Sequence, residues 1–188
     1  NNKKNFAKSW RQLSPYFKYV QIDIMDGVLV KTKNDINPKL IRPLTKNHQL
    51  EIHLMVKDVA SYLTKWLVLE NVKKIIWHYE AGTDKQAIIC LNNYLKNRKI
   101  KTGLAINPGT SLATIKKHLP YFDTIQIMGV TPGKQGQKFQ TKVLDKIKKL
   151  RQLYPKINIA VDGGVNDQNI KTIKKAGANL IIVGSYFQ

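Results

Sequence analysis

Short apolar runs recur along the chain. They occupy residues 19–25, 51–56, 74–78, 102–106, 124–128, 157–161 and 179–183. Most are rich in β-branched residues and each is closed by a turn or polar signal, which predicts seven strands. Between them the apolar positions change to helical spacing, over residues 59–69, 85–97, 111–119, 141–153 and 167–176. A further helix is predicted over about residues 6–17, ahead of the first strand. Thr110-Ser111 and Asn166-Asp167 read as helix starts, and Gly177 as a stop. Strand and helix alternate every 20 to 35 residues or so, the rhythm of right-handed βαβ crossovers that build a parallel sheet.

An open doubly wound sheet and a closed (β/α)₈ barrel both fit that alternation. No Gly-x-Gly-x-x-Gly follows the first predicted strand, so dinucleotide binding gains no support. The polar residues favour the barrel. Asp23, His53, His78, Asn107, Met128, Asp162 and Gly184 all fall at or near strand C-termini, which in a barrel converge on one mouth.

Composition narrows the class. The 188 residues suit one domain, residues 1–188. One cysteine, Cys90, excludes an internal disulfide scaffold. No apolar run reaches the ~18 residues of a membrane span, and the polar N-terminus is no signal peptide. A cytoplasmic protein is expected. Lys plus Arg number 32 against 12 Asp plus Glu, a net charge of +20. Such a charge can mark a polyanion-binding protein. The lysine pairs at 3–4, 73–74, 116–117, 148–149 and 174–175 are scattered, however, and none interleaves with aromatics. No specific nucleic-acid partner is therefore expected, while a positive field would attract an anionic small molecule.

Three clusters carry candidate chemistry: Asp23-Ile24-Met25-Asp26-Gly27, His53-Leu54-Met55 and Asp162-Gly163-Gly164. Asp23 and Asp162 follow uncharged apolar runs. Facing each other across a barrel mouth they would form an acid–base pair; singly, either would cap a turn. His53 alternates toward the interior, where a lone histidine is commonly a hydrogen-bonded core residue; with the two aspartates it would instead make a donor set for a divalent ion. Met25, Met55 and Met128 are all the methionines in the chain. They would either fill the core or roof a delocalised anion. The turns at Gly163-Gly164 and Gly184-Ser185 follow the last two predicted strands, where barrels bind phosphate through backbone N–H groups.

Together these motifs resemble the ribulose-phosphate 3-epimerase family. Its Asp-x-Met-Asp-Gly is matched by Asp23 to Gly27, and its His-Leu-Met-Val by His53 to Val56. The histidine before its Glu-Ala is matched by His78, its Asn-Pro turn by Asn107-Pro108, and its Met-x-Val-x-Pro-Gly-x-x-Gly-Gln-Lys-Phe by residues 128–139. Val161 to Gly164 and Gly184-Ser185 complete the set in order. The resemblance implies a TIM (β/α)₈ barrel that interconverts ribulose 5-phosphate and xylulose 5-phosphate. Asp23 and Asp162 would exchange the C3 proton. One divalent ion (Zn, Mn, Fe, Co or Mg) would sit on Asp23, His53 and Asp162. Met25, Met55 and Met128 would cover the enediolate, and Gly136, Gly163, Gly164, Gly184 and Ser185 would hold the phosphate. The expected partners are the sugar phosphate and further copies of the chain, with no membrane.

The chain departs from the family pattern at several points. Gln21 stands where the family has a metal-binding histidine; a neutral amide oxygen is a poorer ligand, so weak metal binding is expected. Gly129 replaces a serine, and Gln135 a phosphate-loop glycine. The family's first strand and last helix are missing, so the chain is expected to be truncated at both ends. A ketohexose 6-phosphate 3-epimerase and a barrel that binds sugar phosphate without turnover remain alternatives.

Overall fold

The computed structural model describes residues 2–34, 36–134 and 136–184. Seven strands form one sheet in sequence order: β1 (Tyr19–Met25), β2 (Gln49–Met55), β3 (Val72–His78), β4 (Lys101–Ile106), β5 (Thr124–Met128), β6 (Asn158–Asp162) and β7 (Leu180–Ile182). Every pairing is parallel. Helices α1 (Asn2–Leu13), α2 (Pro38–Thr45), α3 (Val59–Trp66), α4 (Lys85–Lys96), α5 (Leu112–Ile115), α6 (Val143–Leu153) and α7 (Ile170–Ala176) precede or link the strands. The sheet curls strongly. Flat, β1 and β6 would lie five ladder spacings apart, about 24 Å. Instead Gln21 of β1 donates to Asp162 of β6 at 2.8 Å.

Central strands β2 to β5 are buried along most of their length on both faces, as parallel strands roofed by helices are. The helices present stripes such as Val59, Leu63 and Trp66 on α3, or Val143, Ile147 and Leu150 on α6. That i, i+4, i+7 spacing sets one apolar face against the sheet. None of the helices described is long and apolar enough to cross a membrane.

The predicted strands all form, with ends shifted by a residue or two. The helices differ more. Helix α2 has no counterpart among the predicted helices; its eight residues include Pro38 and Pro43, which interrupt a helical pattern. Pro38 occupies the first turn, where its missing N–H costs nothing, and Asn37 caps Lys39 N at 3.0 Å. The helix expected over 111–119 is one turn, 112–115, because Pro120 disfavours helical backbone before it and seeds a separate 3₁₀ turn, Leu119–Tyr121. The helix expected from Asp167 starts at Ile170. Asn166 Oδ1 accepts from Gln168 N and Asn169 N, a local turn that competes with the helical ladder.

Candidate active site

Strand register sets the polar groups in layers. Asp23 pairs with His53, Met25 with Met55, and Met128 with Asp162. Gln21 and Asp23, two apart on β1, share the inner face. Gln21 Nε2 donates to Asp23 Oδ1 at 2.9 Å and to Asp162 Oδ2 at 2.8 Å. One amide nitrogen thus bridges the two carboxylates. His53 Nδ1 lies 3.1 Å from Asp23 Oδ1 and 3.3 Å from Asp162 Oδ2. Gln126 on β5 donates to Asp162 Oδ2 at 3.0 Å. The Asp23 side chain is 44% exposed and that of Asp162 12%, whereas His53 is fully buried beneath them.

A polar chain runs outward from His53. Its Nε2 is 2.9 Å from His78 Nε2, and the two rings stack with centroids 5.0 Å apart. His78 Nδ1 meets Glu80 Oε2 at 3.2 Å. Glu80 Oε1 accepts from Asn107 N at 2.9 Å and from the Thr110 hydroxyl. Lys146 Nζ of α6 then caps the carbonyls of Asn107 and Pro108, both at 3.0 Å, and of Thr110. Burial alone would discharge His53, but hydrogen bonds to Asp162 and Asp23 outweigh it and raise its pKa to about 9. Burial likewise works against the Asp23 carboxylate, and the bond and charge of His53 overcome it, lowering its pKa. His78 is pushed down by burial. Glu80 is held at about 2, its bonds from His78, Thr110 and Asn107 outweighing burial. A doubly protonated His53, a neutral His78 and an ionised Glu80 give every link one donor and one acceptor.

Asp23, His53 and Asp162 offer ligand atoms that all lie within 4.8 Å of one another. The nitrogen-plus-oxygen set suits a divalent ion. Gln21 Oε1, buried and without a partner among the described residues, is a further oxygen beside them. These residues fit the expected ion.

A cavity of about 1520 Å³ runs along the inside of the sheet. Asp23, Asp162 and all three methionines line it, as do Gly136, Gly163, Gly164 and Gly184. Gly163 and Gly164 have left-handed backbones, φ 98° and 69°. A Cβ on Gly163 would lie 2.5 Å from Val130, and one on Gly164 2.6 Å from Phe139 N. Open space surrounds Gly136 and Gly184. Ser185 and Gln135 lie outside the described residues. The Gly163-Gly164 turn does not open directly into a helix, since α7 begins only at Ile170. Gly129 is explained by contact: a Cβ there would meet Gly163 O at 2.3 Å and the Phe139 ring at 2.6 Å.

Sequence reasoning passed over Gln126. Its signal was present, as the polar residue inside the Thr-Ile-Gln-Ile-Met run two before Met128. It also passed over Asn34, which pins the end of β1 by accepting from Met25 N at 2.8 Å and donating to Asp23 O at 2.7 Å. Nothing local marks Asn34, because its partners lie nine and eleven residues away.

Comparison with known proteins adds a family. The profile described as "Ribulose-phosphate 3 epimerase family" matches residues 2–188. The ribulose-phosphate 3-epimerase of Helicobacter pylori (strain J99) is 33% identical over 174 residues, covering 89% of this chain and 78% of that protein. That of Aquifex aeolicus is 31% identical over 177 residues, covering 87% and 74%. Among solved structures, a tryptophan synthase alpha-subunit from Pyrococcus furiosus superposes with TM-score 0.72 at 14% identity, covering 98% of this chain and 82% of that one. A 3-hexulose-6-phosphate synthase gives 0.70 at 13%, covering 97% and 85%. At such identities the structural likeness shows the TIM-barrel fold alone.

Proposed function

Because the chain belongs to the ribulose-phosphate 3-epimerase family and is therefore an isomerase, we propose that it interconverts D-ribulose 5-phosphate and D-xylulose 5-phosphate by passing the C3 proton between Asp23 and Asp162. The observation that carries this reading is the pair of carboxylates joined through a single amide nitrogen at the cavity wall. One carboxylate removes the C3 proton, and the C–H electron pair moves into the C2–C3 bond, placing charge on the C2 oxygen. The other carboxyl group, protonated at that moment, returns a proton to the opposite face of C3. No oxidant or water is consumed, and the two groups exchange roles for the reverse direction.

Asp23, His53 and Asp162, with Gln21 beside them, are the residues that would hold a divalent ion. Such an ion, when bound, supplies positive charge to the C2 oxygen and so acidifies C3–H. His53 would engage it through Nδ1, the nitrogen that faces both carboxylates. The opposite ring nitrogen is fixed by His78 and Glu80, which orients the imidazole. Met25, Met55 and Met128 exclude water from the planar intermediate. Gly136, Gly163, Gly164, Gly184 and Ser185 would bind the phosphate through backbone N–H groups.

The test is solvent deuterium incorporation at C3 of ribulose 5-phosphate, with and without added Mn²⁺. The expected result is xylulose 5-phosphate carrying deuterium at C3. Asp162→Asn should lower that rate by ~10³-fold or more while the protein stays folded, since an amide neither takes nor gives the proton. Comparable turnover by the variant would overturn the two-carboxylate reading.

A further inference from the structure

The Gln21 carboxamide is satisfied on one side only. Its Nε2 serves both carboxylates and lies 3.4 Å from His53 Nδ1. Its Oε1 is buried with no hydrogen-bond partner among the described residues. A buried amide oxygen without a protein partner is free to bind another group. Nitrogen and oxygen of a carboxamide are nearly equal in size, and rotation about the terminal torsion exchanges them. Turned nitrogen-inward, the group adds two charge-assisted hydrogen bonds to the two carboxylates, beside those from His53 Nδ1. Turned oxygen-inward, it withdraws both donors from those carboxylates and sets a third oxygen beside them, an arrangement that a bound divalent ion favours. The inward atom sits 2.8 to 3.4 Å from its three neighbours on Asp23, Asp162 and His53. Those are the separations of adjacent donors around one ion with bonds of ~2.1 Å.

We propose that Gln21 is a two-position switch, its Nε2 clamping Asp23 to Asp162 when no ion is bound and its Oε1 completing the donor set when a divalent ion enters. This rests on the reading of the cluster as a metal-assisted epimerase centre. An entering ion must displace two charge-assisted hydrogen bonds from Gln21 as well as the proton on His53 Nδ1, so it binds more weakly than at a vertex whose ligand has no other partner. The same bonds let the cluster keep its shape without metal. Gln126 provides an internal control. Its Nε2 also donates to Asp162, but it makes no bond to Asp23 and so cannot clamp the pair.

The experiment follows the side-chain amide signals of Gln21 and Gln126 in the ¹⁵N-labelled chain during titration with Zn²⁺. The Gln21 NH₂ pair should shift and exchange with solvent ~10-fold faster or more as its hydrogen bonds are lost, and the Gln126 pair should change less. In parallel, Gln21→Glu removes the donor and keeps an oxygen at both positions. Its metal-free Tm should fall by about 4 °C or more, and its Zn²⁺ affinity should rise ~10-fold or more. Bound Zn²⁺ with unmoved Gln21 signals would overturn the switch and leave the epimerase reading standing. So would an unchanged metal-free Tm for Gln21→Glu. No Zn²⁺ uptake at millimolar concentration would overturn the switch together with the metal part of the reading. Exchange at C3, measured on the same preparation, reports the epimerase reading separately.

Discussion

The carboxylate cluster and the glycine cradle line one cavity, yet they are held by different means. The cluster is made of side chains from β1, β2, β5 and β6, brought together by curl and fixed by mutual hydrogen bonds. The cradle is backbone. Its shape comes from left-handed glycines wedged against Val130 and Phe139, with Asn169 Nδ2 binding Gly164 O at 2.9 Å. In the cluster a substitution changes charge and donors while the strands beneath stay packed. In the cradle an atom added at Gly163 meets the Val130 side chain and one added at Gly164 meets backbone, whereas Gly136 and Gly184 have room. Chemistry can therefore be retuned in the first region, and mainly stability is at stake in the second.

The comparison breaks most visibly at Gly129, where the two regions touch. Gly129 N bonds Asp162 O at 2.6 Å and Gly129 O accepts from Gln140 N at 2.8 Å, tying the cluster strand to the loop that carries Phe139. Gly129→Ser should cost about 3 kcal/mol or more, because its Cβ would sit 2.3 Å from a carbonyl oxygen that cannot rotate away. For a chain of this size that is a fall in Tm of roughly 6–12 °C. Adding Phe139→Leu should not restore it, since the clash with the Gly163 carbonyl remains. A melting temperature within a degree or two of the parent would mean that the cradle is more yielding than its contacts imply.

A smaller effect, of the opposite kind, is expected at Gln126. Its Oε1 is buried and unpartnered among the described residues, so Gln126→Leu removes a poorly placed oxygen and fills similar space. Asp162 meanwhile loses one of its two amide donors. Turnover should fall about tenfold while the melting temperature holds within ~2 °C. Paired melts and steady-state rates check this. A large loss of stability with unchanged turnover would place Gln126 among the packing residues and blur the contrast.

These two regions also differ in how far the sequence disclosed them. Asp23, His53 and Asp162 could be read because charged or titratable residues in otherwise apolar runs have few purposes, and alternation fixed the face they share. The order of strands followed from the βαβ rhythm. Gln126 shows the limit: a neutral polar residue in the same kind of run gave less contrast, though its alternation was equally clear. Asn34 and the wedge of Phe139 against Gly129 depend on loops folding back over the sheet, and no local periodicity encodes that. Helix α2 was hidden for a third reason: proline reads as a breaker in sequence, yet Pro38 sits harmlessly in the first turn and Pro43 is accommodated inside this short helix.

The mildest test concerns Glu80, the outer end of the polar chain, where both regions give way to ordinary fold stability. Its carboxylate binds His78, Asn107 N and Thr110, and its pKa is held at about 2 instead of 4.5. A depressed folded pKa means that the unfolded chain binds more protons between those two values. The stabilisation is then complete above about pH 5.5 and is lost as pH falls through 4.5 toward 2. Glu80→Gln cannot take up that proton. Its stability relative to the parent should be lower by about 1 kcal/mol at pH 7, a figure discounted for the partial exposure of the carboxylate. That gap should narrow steadily below about pH 5. Urea unfolding of both proteins, from neutral pH down in steps to about pH 3.5, measures it. Turnover at neutral pH should fall only a fewfold, because the substituted amide can keep the Asn107 and Thr110 bonds while disturbing only the outer link to His78. A gap of constant size across the whole range would show that Glu80 stabilises the fold by packing, and that the chain from His53 ends at His78.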